Sequence, residues 1–207
     1  LNVFNWGEYI GEDVIANFEE EYGVKVNYSM FDSNEILYTK LLGGTSYDVI
    51  VPSDYMIERL MEEGMLQPLD YSYMTNLDDL DPGVVALRDE YDPDGVYSMP
   101  YFWGSVGLVY NKKNVDVNKL EELGWNILKD TEYADRIFMY DSERDSFMVA
   151  LKALGYSMNT ENMDEINEAY EWLCELHDTM HPAYVTDEVN DAMINNEKDI
   201  AVVYSGA

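Results

Sequence analysis

Apolar positions in the opening part of the chain switch repeatedly between period two and a helical period. Leu1 to Asn5 reads as a short buried strand. Val14, Ile15, Phe18 and Tyr22 then recur at helical spacing over Glu12 to Tyr22, with Gly23 placed for a left-handed C-cap. Val24, Val26 and Tyr28 alternate as a second strand. Asp32 and Glu35 have the spacing of a capping box ahead of a helix lined by Ile36, Leu37, Leu41 and Leu42, which ends at Gly43-Gly44. Tyr47 to Val51 reads as a third strand, and Ile57 to Glu63 as a third helix stopped by Gly64. This β-α-β-α-β-α series predicts a mostly parallel sheet covered by helices, with ligand at the carboxyl ends of the strands.

Tyr71 to Asp94 is rich in Asp, Pro and Gly and reads as loop, followed by a long extended segment, YSMPYFWGSVGLVYN, suited to link two lobes. Beyond Lys112-Lys113 the pattern restarts. It predicts a helix near Val117 to Leu123, a strand at Arg136 to Tyr140, and a helix from Ser142 carrying Phe147, Ala150, Leu151 and Leu154 to Gly155. A long helix follows at about Met163 to Met180 with Ile166, Tyr170, Leu173 and Leu176 on one face. A shorter helix near Glu188 to Asn195 leads into a strand at Ile200 to Tyr204. Two α/β lobes are expected, residues 1–107 and 108–207. No repeat of fixed period and no low-complexity segment is present.

Composition makes this a folding chain: 47% of the 207 residues are hydrophobic and 14% aromatic, enough to bury a core. Charge narrows the partners. With 42 acidic and 12 basic residues the formal net charge is −30, which argues against nucleic acid, repels anionic substrates and concentrates cations. An ordinary solvated acidic surface accounts for most of these carboxylates, so only those beside aromatic residues near strand ends merit a functional reading. The single cysteine, Cys174, forms no intramolecular disulfide and sits in a helical pattern that predicts a core position. No apolar run has the length of a membrane span. The chain opens directly on LNVFNW without a basic leader, so any export signal or lipid anchor is expected outside this sequence.

Asn5-Trp6-Gly7-Glu8-Tyr9, between the first strand and first helix, combines two aromatic faces with a carboxylate. An ammonium stacked on Trp or Tyr gains roughly 0.5 to 2 kcal/mol, and a carboxylate in a partly dry cleft adds Coulomb attraction, so the combination specifies an organic cation. Core packing by Trp6 and Tyr9 explains the same residues about equally well. Ser53-Asp54-Tyr55 follows the third strand and shares that rim, although a helix N-cap is the simpler account of it. In DSERD, Asp141, Glu143 and Asp145 are available carboxylates, while Ser142 and Asp145 also have capping-box spacing.

Catalytic and metal readings are weaker. His177 and His181 are four apart but lack an HExxH pattern and are followed by Pro182, which favours helix-end histidines. Glu90, Asp92, Asp94 and Gly95 imitate the start of a calcium loop, yet Pro93 intrudes and Tyr101 stands where a bidentate acid is needed, so a turn is expected. No nucleophile elbow, Walker loop or dinucleotide fingerprint occurs, and no cofactor is called for.

The motifs FNWGEYI, YSMFDSNEILYTKL, YDVIVPSDYMIERLMEEGMLQPLD, YSMPYFWGSVGLVYN and DSERDSFMVALKALGYS, in this order, resemble the spermidine/putrescine-binding proteins of polyamine ABC transporters. The resemblance implies a two-lobed periplasmic-binding-protein-like α/β clamp with a mostly parallel sheet in each lobe. It also implies capture of a polyamine outside the cytoplasm, delivery to a membrane permease, and no chemistry on the ligand. It makes Trp6 and Tyr9 aromatic walls, has Gly7 and Glu8 hold a terminal amine, and places Ser53 and Tyr55 on the first-lobe rim. Asp145 falls on a family carboxylate, and Tyr204 falls where the family usually has Trp. Ser142 stands where spermidine binders have a second carboxylate, with Asp141 and Glu143 as neighbours. The resemblance covers only the front portion of the family's chain, so a truncated clamp with weakened or absent polyamine affinity is expected, and self-pairing that completes the fold stays open. A receptor for ferric iron, through some of the 18 tyrosines, or for another small organic cation is the alternative. A carboxylate-dependent hydrolase and a purely structural protein rank lower.

Overall fold

Three short parallel strands organise residues Leu1–Trp103, the first of two compact units; the second is Gly104–Ala207. The computed structural model describes residues 1–7 and 9–205. β1 (Asn2–Trp6) is the central strand, flanked by β2 (Asn27–Phe31) and β3 (Val49–Ile50) in the order β2-β1-β3, with Trp6 opposite Phe31 and Phe4 opposite Ile50. β2 starts later than the alternation of Val24, Val26 and Tyr28 predicts. The Glu19 carboxylate accepts the Val26 N–H at 2.8 Å and pairs with Lys25 at 2.7 Å, which holds that stretch against the preceding helix instead of in the sheet ladder.

Helix α1 (Val14–Tyr22) ends on Gly23 in the left-handed conformation, as the pattern predicts. Its apolar stripe does not become core: Val14, Phe18 and Tyr22 are exposed, and Phe18 and Tyr22 pack on each other with ring centroids 4.7 Å apart. Helix α2 (Asn34–Leu42) is capped by Ser33, whose hydroxyl accepts the Ile36 N–H at 3.2 Å. The expected box from Asp32 is therefore displaced by one residue, because Ser33 holds the extended backbone an N-cap requires. Helix α3 (Asp54–Glu62) buries Met56 and Leu60 against Phe4, Phe31 and Leu37 to form the core of this unit.

The segment expected as loop contains a helix, α4 (Pro82–Arg88). Pro82 occupies its first position, where no N–H is needed, and Asp81 caps it by accepting the Gly83 and Val84 N–H groups. The calcium-like run is a turn. Asp92 is 1% exposed and its carboxylate accepts the backbone N–H groups of Val96, Tyr97 and Ser98 and the Ser98 hydroxyl.

The second unit is a four-stranded sheet, β4 (Val106–Tyr110), β5 (Ile137–Tyr140), β6 (Ala183–Val185) and β7 (Ile200–Tyr204), in the order β4-β7-β5-β6. Only β4 runs antiparallel, with Val106 opposite Tyr204. Alternation sends Ile137, Met139, Ile200 and Val202 into one core and Phe138, Ala201 and Val203 into another, so both faces of the sheet are covered. The helices are α5 (Val117–Leu123), α6 (Glu143–Leu154), α7 (Met163–Met180) and α8 (Val189–Ile194). On α7 the buried line is Ala169, Trp172, Leu176 and Met180. That line is rotated from the predicted face, leaving Tyr170 and Cys174 exposed, so the core position expected for Cys174 is incorrect. His181 is the left-handed C-cap of α7 and His177 lies in its last turn.

Candidate functional site

Because β1, β2 and β3 are parallel, the residues that leave their carboxyl ends share one rim of the first unit: Trp6, Gly7 and Tyr9, Asp32 to Glu35, and Ser53 to Tyr55. The Trp6 indole packs on Phe31 at 4.6 Å and lies 6.0 Å from Tyr9, whose ring meets Phe102 at 5.4 Å. Gly7 is half-buried, and Glu8 lies outside the described residues.

A buried asparagine organises these rings. Asn5 is 2% exposed; its amide nitrogen donates to the Tyr9 carbonyl at 3.2 Å and its carbonyl oxygen accepts the Trp6 N–H at 2.8 Å. The Tyr28 hydroxyl donates to the Trp6 carbonyl at 3.3 Å, and the Tyr101 hydroxyl donates to the Tyr9 carbonyl. Burial pushes both phenols above the usual tyrosine range, against an opposing hydrogen bond from Asn5.

Ser53 and Tyr55 are placed by α2. The Asn34 side chain pairs with both the hydroxyl and the backbone N–H of Ser53, and the Tyr55 hydroxyl donates to Glu35 at 3.0 Å. Ser53 precedes α3 as its N-cap residue without a side-chain capping bond, because its hydroxyl is turned to Asn34.

In the second unit, the strands β5, β6 and β7 are parallel and again present their carboxyl ends together. Ser142 caps α6 by accepting the Asp145 N–H at 3.3 Å, which supplies half of the capping box. The other half is absent: the Asp145 carboxylate accepts a hydrogen bond from the Tyr204 hydroxyl at 2.6 Å. The Tyr204 ring meets Tyr140 edge-on at 4.6 Å, and the Tyr140 hydroxyl donates to Asp187 at 3.5 Å. Asp145 and Tyr204, 59 residues apart, are thereby brought together, with Ser142 beside them as a structural cap.

Several members of these rims carry little signal in sequence. Glu35 has capping spacing, Asn34, Tyr101 and Phe102 lie inside motifs that carry the resemblance without a role assigned to them, and Tyr140 and Asp187 have no motif of their own. Position at the carboxyl end of a parallel strand was the one available sign for Asn34, Glu35, Tyr140 and Asp187. Among the described residues, no three His, Cys, Asp or Glu side chains gather as a metal site. What the rims offer chemically is aromatic surface with carboxylates held by phenols, which suits a cation carrying apolar stretches.

A sequence profile of bacterial extracellular solute-binding proteins matches residues 13–207. The spermidine/putrescine-binding periplasmic protein of Salmonella typhimurium is 35% identical over the whole of this chain and 59% of its own length. Among solved structures, one from Listeria monocytogenes, provisionally described as a spermidine/putrescine ABC transporter, is 38% identical with a TM-score of 0.88, over 100% of this chain and 62% of that one. The spermidine/putrescine ABC transporter substrate-binding protein of Streptococcus pneumoniae is 39% identical with a TM-score of 0.74, with the same coverage. The chain thus spans about three fifths of the length of these relatives. Its α/β units with parallel-dominated sheets are those of the periplasmic-binding-protein fold. By the profile match across nearly all of its residues, the chain belongs to the bacterial extracellular solute-binding proteins.

Proposed function

We propose that this chain captures a polyamine, spermidine or putrescine, outside the cytoplasm for uptake through the membrane permease of an ABC transporter, and leaves it chemically unchanged. The observation that carries this reading is the Asp145 carboxylate bonded by the hydroxyl of Tyr204, whose ring packs edge-on on Tyr140, at the carboxyl ends of parallel strands. An ammonium gains roughly 0.5 to 2 kcal/mol over an aromatic face. At an effective dielectric of about 20 it gains several more from a carboxylate at contact. The names of the relatives, spermidine/putrescine-binding and periplasmic, support the same ligand class and location. A net charge of −30 favours the approach of a polycation.

In this reading Trp6 and Tyr9 are aromatic walls, Gly7 and Glu8 hold a terminal amine, and Ser53 and Tyr55 line the first-unit rim. Asp145 takes an amine in the second unit beside Ser142 and Tyr204. The lobes are residues 1–107 and 108–207, joined through YFWGSVGLVYN.

Calorimetric titration of spermidine and putrescine into the purified chain tests this. Weak but saturable binding that Trp6→Ala abolishes is the result that places a site in these residues. A folded chain that binds neither polyamine overturns capture by these residues alone. Ferric iron bound with a tyrosinate absorption band, in place of a polyamine, overturns the ligand class.

A further inference from the structure

We propose that the Tyr204 hydroxyl positions the Asp145 carboxylate for an ammonium group, so that Tyr204 is a positioning residue and not an aromatic wall alone. This rests on the polyamine reading above. Asp145 is held at two points: its backbone N–H donates to Ser142 Oγ at 3.3 Å, and its Oδ2 accepts the Tyr204 hydroxyl at 2.6 Å. Tyr204 is fixed in turn. It ends β7, lies opposite Val106 in the antiparallel ladder, and packs its ring edge-on against Tyr140, which is 5% exposed. A carboxylate that would otherwise sample several rotamers from the first turn of α6 is therefore tied to the sheet.

Two effects of the phenol oppose each other. It occupies acceptor capacity that an ammonium also wants, and it removes the cost of ordering the carboxylate on binding. A carboxylate offers about four lone-pair sites, of which the phenol takes one, so competition is slight. Ordering one side chain at an interface is a cost large enough to change affinity severalfold, so positioning prevails. The arrangement is not confined to one unit, since the Tyr55 hydroxyl donates to Glu35 at 3.0 Å on the first rim. In both cases a neutral donor fixes an acid at the carboxyl end of parallel strands.

The test is calorimetry with putrescine and spermidine on the unaltered chain and on Tyr204→Phe, which keeps the ring against Tyr140. The same substitution is measured in an Asp145→Ala background, and unliganded circular dichroism checks the fold. The expected result is a Kd roughly three- to tenfold weaker in Tyr204→Phe, and no further weakening when Tyr204→Phe is added to Asp145→Ala. A packing role for Tyr204 would weaken binding by the same factor whether or not the Asp145 carboxylate is present. An unchanged or tighter Kd, or an equal loss in the Asp145→Ala background, overturns the inference while leaving the polyamine reading intact. Failure of the unaltered chain to bind either polyamine overturns both.

Discussion

Asn34 and Ser53 form a reciprocal pair: the Asn34 amide nitrogen donates to the Ser53 hydroxyl at 3.1 Å, and its carbonyl oxygen accepts the Ser53 backbone N–H at 3.0 Å. The pair joins the first residue of α2 to the residue that opens α3, with Asn34 only 4% exposed. Asn34→Ala removes two hydrogen bonds and leaves a partly buried N–H without this partner. The expected destabilisation is about 2 kcal/mol, read as a lower urea midpoint followed by tryptophan fluorescence. Asn34→Asp retains an acceptor for the Ser53 N–H and is expected to lose less.

Asp92 gathers three backbone N–H groups and a hydroxyl on one buried carboxylate. Charged acceptors of this kind contribute about 1.5 to 3 kcal/mol each and are not additive. Asp92→Ala is expected to raise the amide exchange rates of Val96, Tyr97 and Ser98 by at least about a hundredfold, a loss near 3 kcal/mol. Unchanged protection of these three amides would show that the turn is held by something else.

Gly95 and Gly23 both have positive φ, +61° and +64°, but different surroundings. A Cβ on Gly95 would run into the Arg88 guanidinium and meet the Tyr71 hydroxyl at 2.8 Å, while one on Gly23 meets nothing within 4 Å. Gly23→Ala therefore costs the backbone preference alone, about 1 kcal/mol. Gly95→Ala adds displacement of the buried Arg88 and is expected to cost roughly 3 kcal/mol in denaturant unfolding. Equal losses would contradict the placement of Arg88.

Acid should destabilise the fold through a defined set of carboxyls. Lys25 holds Glu19 below the usual range, Arg59 holds Glu63, the Ser72 side chain holds Asp70, and the Thr186 hydroxyl holds Glu188. Burial raises Asp130, but Lys119 and the Glu132 N–H outweigh it and leave that carboxyl lowered as well. A folded pKa below the unfolded value adds stability that is full above the unfolded pKa and vanishes as pH falls through the folded one. The melting temperature is thus expected to drop below about pH 4, and a flat acid limb would refute these pairings. Glu19 and Glu63 are partly exposed, so salt is expected to shrink their share.

Local order was legible in the sequence wherever a short-range rule sufficed. Gly23 and Gly155 end α1 and α6 in the left-handed region, and Ser142 caps α6 as its spacing predicts. The α/β alternation, and with it the idea that function lies after β1, β3 and β5, follows from apolar period alone. Where two local signals compete, short-range rules do not choose between them. Ser33 displaced Asp32 as a cap, Pro82 started a helix where a breaker was expected, and Glu19 drew Val26 out of the sheet.

Which face each element buries, and which distant groups meet, belonged to the tertiary structure. Tyr170 and Cys174 follow helical spacing yet lie outside the core, because the packing of α7 on its neighbours selects Trp172 and Leu176. The same limit applies to the site. Nothing in the spacing of DSERD says that Asp145 abandons its capping role for Tyr204, or that Asn34 reaches Ser53 and Tyr55 reaches Glu35. Chain period reports which residues turn away from water, whereas a hydrogen bond between residues 59 apart depends on strand order and register, which the sheet sets only once it has formed.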